Sequence, residues 1–392
     1  MVVSVEAQQA RRRPGNPPPP PPPPVPVAGQ PLAGLTAAQL AAFNDGVEDF
    51  NEAEEPDEGL GPVFNERSCA ACHTTPTVGG GSNRTVTRFG TRAGGTFDAL
   101  ANLGGSLMQD HALTLADAGV THAYAPEVVP AVATIVAHRR TTALFGLGLV
   151  DATPDSDFLA LAQLQSARRD GTAGRVHMVD NISAGTKSVG KFGWKSQNPT
   201  LFQFAGDAYV NEMGITNPQF PSENCPQGNC AELAYNPMPA INDTGDGVQK
   251  LADFMSFLAP PPRGAESGDT EPGEQTFDRI GCTACHVATM QTGSNRVAAL
   301  DHKTYHPYSD FLLHDMGALG DGIEQGDAKG RDMRTAPLWG LRFAMTLLHD
   351  GRANSIEAAV LAHDGQARPA RDRFAALDKN AKDKLMAFLG SL

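Results

Sequence analysis

The chain has 392 residues, a formal net charge of -13 and a hydrophobic fraction of 41%. No stretch approaches the ~18 consecutive apolar residues of a membrane span, and a chain this acidic is a poor partner for nucleic acid. Aromatic residues are few while glycine (41) and proline (30) are abundant, which points to a loop-rich protein of about two or three domains.

In chain order, residues 1–34 read as a disordered, proline-rich leader or spacer. Pro17–Pro24 is an unbroken octet, which lacks backbone donors and extends as a stiff polyproline helix. Met1–Ala10 is too short and too polar for the apolar core of a signal peptide, and Arg11–Arg13 follow it rather than precede it. A helix is expected over Leu35–Asn51. It leads to Cys69-Ala70-Ala71-Cys72-His73, and 213 residues later the chain repeats the pattern as Cys282-Thr283-Ala284-Cys285-His286. Each is C-x-x-C-H, the attachment site of a c-type haem: two thiols add across the vinyl groups of one porphyrin and the adjacent histidine ligates iron. Four thiolates could instead hold zinc, but that leaves the histidine after each pair unexplained. A thioredoxin-like dithiol needs a βαβ setting, and no apolar strand precedes either pentapeptide. Two covalently bound haems are therefore expected. Because thiols take up haem outside the bacterial cytoplasm, so is a periplasmic or otherwise exported protein. The remaining cysteines, Cys225 and Cys230, flank Pro-Gln-Gly-Asn and are expected to form a local disulfide.

Each pentapeptide has a leading and a trailing helix. Val248, Leu251, Met255 and Leu258 share a face before Pro260-Pro261-Pro262 stops the first trailing helix. A helix over Gly273–Ile280, with Phe277 inward, leads into the second pentapeptide. Leu385, Phe388, Leu389 and Leu392 face one way at the C-terminus, with Asp378 placed as the cap. The expectation is a mainly α protein of two cytochrome c-like haem domains with long loops and little strand. The N-terminal haem domain would span 35–262, enlarged by an insertion over Val78–Asn242, and the C-terminal haem domain 263–392.

Several further segments resemble the bacterial di-haem cytochrome c peroxidase superfamily, and more closely its di-haem oxidoreductase (thiol oxidoreductase-like) branch. They are Gly61-Pro62-Val63-Phe64-Asn65, Arg140–Asp151 (RTTALFGLGLVD), Phe192-Gly193-Trp194, Asn211-Glu212-Met213-Gly214, Leu312–Gly317 (LLHDMG), Arg334–Arg342 (RTAPLWGLR) and Leu348–Arg352 (LHDGR). The resemblance runs from about Gly59 to the C-terminus. It implies an oxidoreductase in which the second haem carries a distal methionine, but Ile356–His363 (IEAAVLAH) places His363 where that methionine would stand. His286 and His363 would then close that iron for electron transfer, whereas a solvent-facing His363 is the plain alternative. No histidine occurs from Thr74 to Met108, so the first iron is expected to be held by His73 alone, unless His111, His122 or His138 reaches back.

The same resemblance implies that Glu212 serves as general acid and base for peroxide, against the plain reading of a surface acid, and that Trp194 relays electrons. Trp339, His314 and His349 would line the second haem, the histidines bonding propionates or backbone. One calcium ion is a further family feature whose ligands the sequence does not reveal. The expected activity is reduction of hydrogen peroxide at the N-terminal haem with electrons from the C-terminal haem. The donor, a small redox protein or a protein substrate, is unspecified. A dioxygen-activating oxygenase resembling the rubber-cleaving enzymes and a non-catalytic electron carrier are the rivals.

Overall fold

The computed structural model describes residues 27–392, so the proline octet lies outside the described residues. The folded chain reaches back into the stretch read as spacer: Leu32 N donates to Phe257 O (2.7 Å) and Ala259 N to Gln30 O (2.9 Å). Helix α1 (Ala37–Asn51) starts on a capping box formed by Thr36 and Gln39, which satisfies two backbone donors reciprocally. Between it and the second haem motif lie α2 (Leu147–Asp151), α3 (Asp155–Arg168), α4 (Leu201–Ala208), α5 (Asp246–Phe257) and α6 (Thr270–Arg279). The chain closes with α7 (Ile356–Ala362), α8 (Arg368–Ala375) and α9 (Lys379–Leu389).

Two helix pairs repeat one packing solution. In α1, a Cβ on Gly46 would collide with the Lys250 carbonyl oxygen and come within 2.8 Å of Phe254 Cβ in α5. In α6, a Cβ on Gly273 would collide with the Lys384 carbonyl oxygen and come within 2.7 Å of Phe388 Cβ in α9. Only glycine lets the backbones approach this closely. One turn later each leading helix presents a phenylalanine. Phe50 packs on Phe254 (centroids 4.7 Å) and on His73 (5.8 Å); Phe277 packs on Phe388 (5.4 Å) and on His286 (6.1 Å). The trailing faces expected from periodicity are buried: Val248, Leu251, Met255 and Leu258 in one pair, Leu385, Phe388, Leu389 and Leu392 in the other. Asp378 accepts from Ala381 N (2.8 Å) and caps α9.

The expectation of a mainly α protein with little strand does not hold. The described residues are 33% helix and 14% strand, much of the strand lying between residues 78 and 242. Thr85–Ala93 pairs with Thr96–Asp98 on one side and Ile135–Arg140 on the other. The tight hairpin turns on Gly94 and Gly95, both at positive φ (57° and 88°), the conformation that a two-residue loop requires. Met178–Asn181 and Thr186–Val189 form a second hairpin.

One large apolar core gathers α1–α5 and also takes in Met290, Leu300, Tyr305, Phe311 and Leu312. A smaller core holds Phe277, Ile280, Tyr308, Phe374 and the α9 face. The segment after the second pentapeptide thus contributes to both cores. Cys225 and Cys230 form the expected disulfide.

Candidate functional site

Both pentapeptides fold alike. Cys69–Ala71 and Cys282–Ala284 are single 3-10 turns, and the histidine amide donates back to the first cysteine carbonyl (His73 to Cys69, 3.0 Å; His286 to Cys282, 2.9 Å). The rings are held through Nδ1, which donates to Gly80 O (3.1 Å) for His73 and to Tyr308 O (2.8 Å) for His286. Burial pushes both imidazoles down to about 4. Neutral rings anchored at Nδ1 are the form in which histidine ligates a metal through Nε2.

Beside the second pentapeptide lies a cavity of about 400 Å³. Cys282, Cys285 and His286 line it together with His363 and the apolar side chains of Phe277, Leu338, Ile356 and Val360. His363 stands just past the end of α7, which Ser355 caps by accepting from Ala358 N (3.1 Å). Its Nδ1 donates to Ala359 O (2.7 Å), and burial lowers its pKa. Neither His286 Nε2 nor His363 Nε2 has a protein partner among the described residues. Two thiols, two neutral imidazoles with free Nε2 atoms and an apolar hollow fit a haem group. His363 is half-buried and lines the cavity.

His314 sits under Cys285, its Nδ1 3.5 Å from Cys285 Sγ and its Nε2 bonded to Asp310 Oδ2 (2.9 Å). Burial opposes charge on this ring, but the Asp310 carboxylate outweighs it and the pKa rises to about 10.

Glu212 lies in a π-helical turn, Tyr209–Met213, that continues α4; such turns recur at functional sites. The turn is bonded to the segment just before the first pentapeptide. Asn65 N donates to Glu212 O (2.7 Å), Asn65 Nδ2 donates to Glu212 Oε2 (2.7 Å) and Gly61 N donates to Met213 O (3.0 Å). Burial raises the pKa of Glu212, although Asn65 steadies its charged form. The Cys72 thiol is pushed up to about 12 by burial first, with Glu212 among the acids that add to it. Glu212 is thus a half-buried carboxyl bonded to the segment that leads into the first pentapeptide.

Trp194 lines the cavity from the N-terminal part of the chain. Its Nε1 donates to Arg140 O (3.0 Å), and its ring lies edge-on to His349 at 6.2 Å. Thr75, Pro76 and Asn83, just after the first pentapeptide, line the same cavity. Trp339 also lines it and packs on Tyr305 (6.0 Å). Of the three histidines that could reach back, His122 Nε2 bonds Glu232 (2.7 Å), while His111 and His138 bond Asp110 (2.7 Å) and Thr87 (3.3 Å) through Nδ1.

Sequence reading attached no role to Asn65, although it lies in a matching segment. It also missed Asp321, which joins Lys195 (3.0 Å) and Arg139 (2.7 Å) in a buried cluster behind Trp194. No local pattern announces that cluster, because its members lie far apart in the chain.

The family model described as "Di-haem oxidoreductase, putative peroxidase" matches residues 128–392, more than half of the chain. The chain belongs to this family. It is an oxidoreductase, and haem is the family's cofactor. The matched stretch of this di-haem oxidoreductase contains the second pentapeptide, Trp194, Glu212 and His363, while the first pentapeptide precedes it. Among solved structures, a MauG-like protein associated with microbial copper homeostasis aligns at 13% identity over 94% of this chain and 92% of its own, with a TM-score of 0.39. The diheme peroxidase BthA from Burkholderia thailandensis aligns at 12% identity over 90% and 86%, with a TM-score of 0.40. Hydrazine synthase from Kuenenia stuttgartiensis aligns at 14% identity over 57% and 78%, with a TM-score of 0.29. Likenesses this distant carry no weight for chemistry. No curated protein matches the chain.

Proposed function

We propose that this di-haem oxidoreductase is an exported peroxidase that reduces hydrogen peroxide beside the first pentapeptide. Cys69, Cys72 and His73 would hold one haem c, and Cys282, Cys285, His286 and His363 the other. Bound haem supplies an iron that changes oxidation state and, where one axial position stays open, receives the oxidant. Reduction of peroxide to two waters consumes two electrons and two protons, so a group must move a proton between its oxygens.

Glu212 suits that task. Desolvation raises the pKa of its half-buried carboxyl, and the Asn65 Nδ2 bond at 2.7 Å fixes one oxygen, Oε2, leaving Oε1 to take a proton and return it. Trp194 offers a conjugated ring for electrons in a wall shared by residues that follow both pentapeptides. His286 and His363 would leave no open position at the second site. The Cys225–Cys230 disulfide supports export, since such bonds persist in oxidising compartments.

The observation that carries this reading is the Glu212 carboxyl: half-buried, and bonded through Asn65 to the segment that leads into Cys69. Glu212→Gln should leave both haem spectra intact and lower peroxide-dependent donor oxidation by about 10²–10⁴-fold. Undiminished turnover in stopped-flow assays would refute the role. Oxygen uptake without added reductant would point to oxygenase chemistry instead.

A further inference from the structure

One stretch of the cavity wall carries positive charge that no protein carboxylate answers. Arg334 is only 7% exposed. Its Nε donates to Gly193 O (2.8 Å) and its Nη1 to Thr335 O (3.4 Å), and among the described residues Nη2 has no protein partner. Burial presses its pKa down to about 10. The acid whose field reaches it, Asp310, is fully committed: Oδ2 accepts from Gln165 Nε2 (2.7 Å) and pairs with His314, while Oδ1 accepts from Leu312 N (3.0 Å). Arg140 is half-buried and likewise lacks a carboxylate. Its Nε reaches only Leu348 O (3.5 Å), no described carboxylate lies in ion-pair range, and burial lowers its pKa as well.

Both arginines line the cavity, and both are tied to one residue. Arg140 O accepts the Trp194 indole proton (3.0 Å), and Arg334 N donates to Trp194 O (2.9 Å). His349 completes the group. Its carbonyl accepts from Arg140 N (2.6 Å), and its ring, pressed down to about 4 by burial, has no hydrogen-bond partner among the described residues. The neighbouring Arg139 shows the contrast, because there the fold does supply a carboxylate, Asp321, at 2.7 Å. A buried guanidinium left unpaired is strongly unfavourable, and its planar fork matches a carboxylate. The missing anions must therefore arrive with what fills the cavity.

We propose that Arg140 and Arg334 are the receptors for the carboxylate side chains of the haem held at the second pentapeptide, so that this cofactor turns its charged edge toward Trp194. The assignment rests on the haem reading of that site. It also means that residues from the N-terminal half, Arg140 and Trp194, seat the cofactor attached to the C-terminal half.

The test is potentiometry of the holoprotein, following each haem by its own optical bands, in Arg140→Leu, Arg334→Leu and the corresponding Lys variants. Removing either cation should stabilise the ferric form of the second haem about tenfold, about 59 mV for one electron, and leave the first haem unchanged. Lys should restore part of the shift, and the propionate bands of the second haem should move in resonance Raman spectra. Should the Leu variants fail to assemble, the Lys variants decide through the same bands. Unchanged potential and unchanged propionate bands would overturn the assignment. A parent potential that responds to added acetate, with the response lost in the Arg variants, would overturn it in favour of an exogenous anion. A purified protein without haem at Cys282 and Cys285 would instead sink the haem reading itself.

Discussion

Asp321→Asn is the most searching test of how Trp194 is held. The Asp321 side chain is 1% exposed, and the two cations that share it, Lys195 and Arg139, are 0% and 4% exposed. Lys195 Nζ stands 3.0 Å from Oδ1, and Arg139 Nη2 stands 2.7 Å from Oδ2. Removing one member of a buried pair costs about 3–5 kcal/mol because the survivor stays charged and dry. Here two cations lose the same partner, so the upper part of that range is expected. Lys195 can relieve part of the cost by giving up its proton, since burial already lowers its pKa to about 8 against the pull of Asp321. In the variant its pKa falls further, so below the ordinary lysine value the unfolded chain binds more protons than the folded one. Stability must then rise with pH from below about 8 towards 10.5. The perturbation also reaches the indole, because Lys195 and Arg139 are the chain neighbours of Trp194 and Arg140, the two residues joined by the Nε1 bond. Urea denaturation at pH 7 and pH 9 measures the energy, and the indole N–H band in ultraviolet resonance Raman spectra reports the bond. A loss below about 1 kcal/mol at pH 7, with no gain at higher pH, would refute the reasoning, since it would mean that the two cations never needed their carboxylate.

Two further outcomes follow from packing and burial. Gly273→Ala and Gly46→Ala each force a Cβ into the opposing helix backbone and should cost about 1–3 kcal/mol or more in urea denaturation; a neutral result at both would remove the close-crossing argument. Glu223 has its pKa raised to about 8 by burial, and its Oε2 has no hydrogen-bond partner. The folded protein therefore keeps a proton that the unfolded chain releases above about 4.5, and stability should fall as pH rises from 4.5 to 8. Glu223→Gln should flatten that slope in pH-resolved thermal unfolding, and an unaltered slope would count against it.

What could be read from the sequence was whatever is written locally. The haem motifs, the α5 and α9 faces, the Asp378 cap and the Cys225–Cys230 bond each depend on residues a few positions apart, where side-chain chemistry dictates geometry directly. His363 was legible for the same reason, as a substitution inside a short recognisable run. The strands were a different matter. Thr85–Ala93 carries Arg88 and Arg92 on one face and mostly threonines on the other, so it lacks a clean apolar stripe, and Gly94-Gly95 marks the hairpin. Least legible were contacts between distant segments. The Asn65–Glu212 bond spans 147 residues and the Arg139–Asp321 pair 182, and no pattern in one strand of text links such partners.

The two halves share a frame: a glycine crossing, a phenylalanine one turn later, then a histidine pinned by a backbone carbonyl. A shared frame gives no reason for the two sites to differ, so any difference must come from what else is delivered to each histidine. In the C-terminal half it comes from α7, which ends on His363 and brings a second neutral imidazole into the cavity. In the N-terminal half the π-helical turn after α4 brings a half-buried carboxyl to the segment before that histidine. Arg140 and Trp194, also from the N-terminal half, line the cavity beside the second pentapeptide. Trp194 and Glu212 are joined by the short run through α4. The part of the chain that departs from a helical plan is thus the part whose residues stand both along the cavity and against the segment before the first pentapeptide.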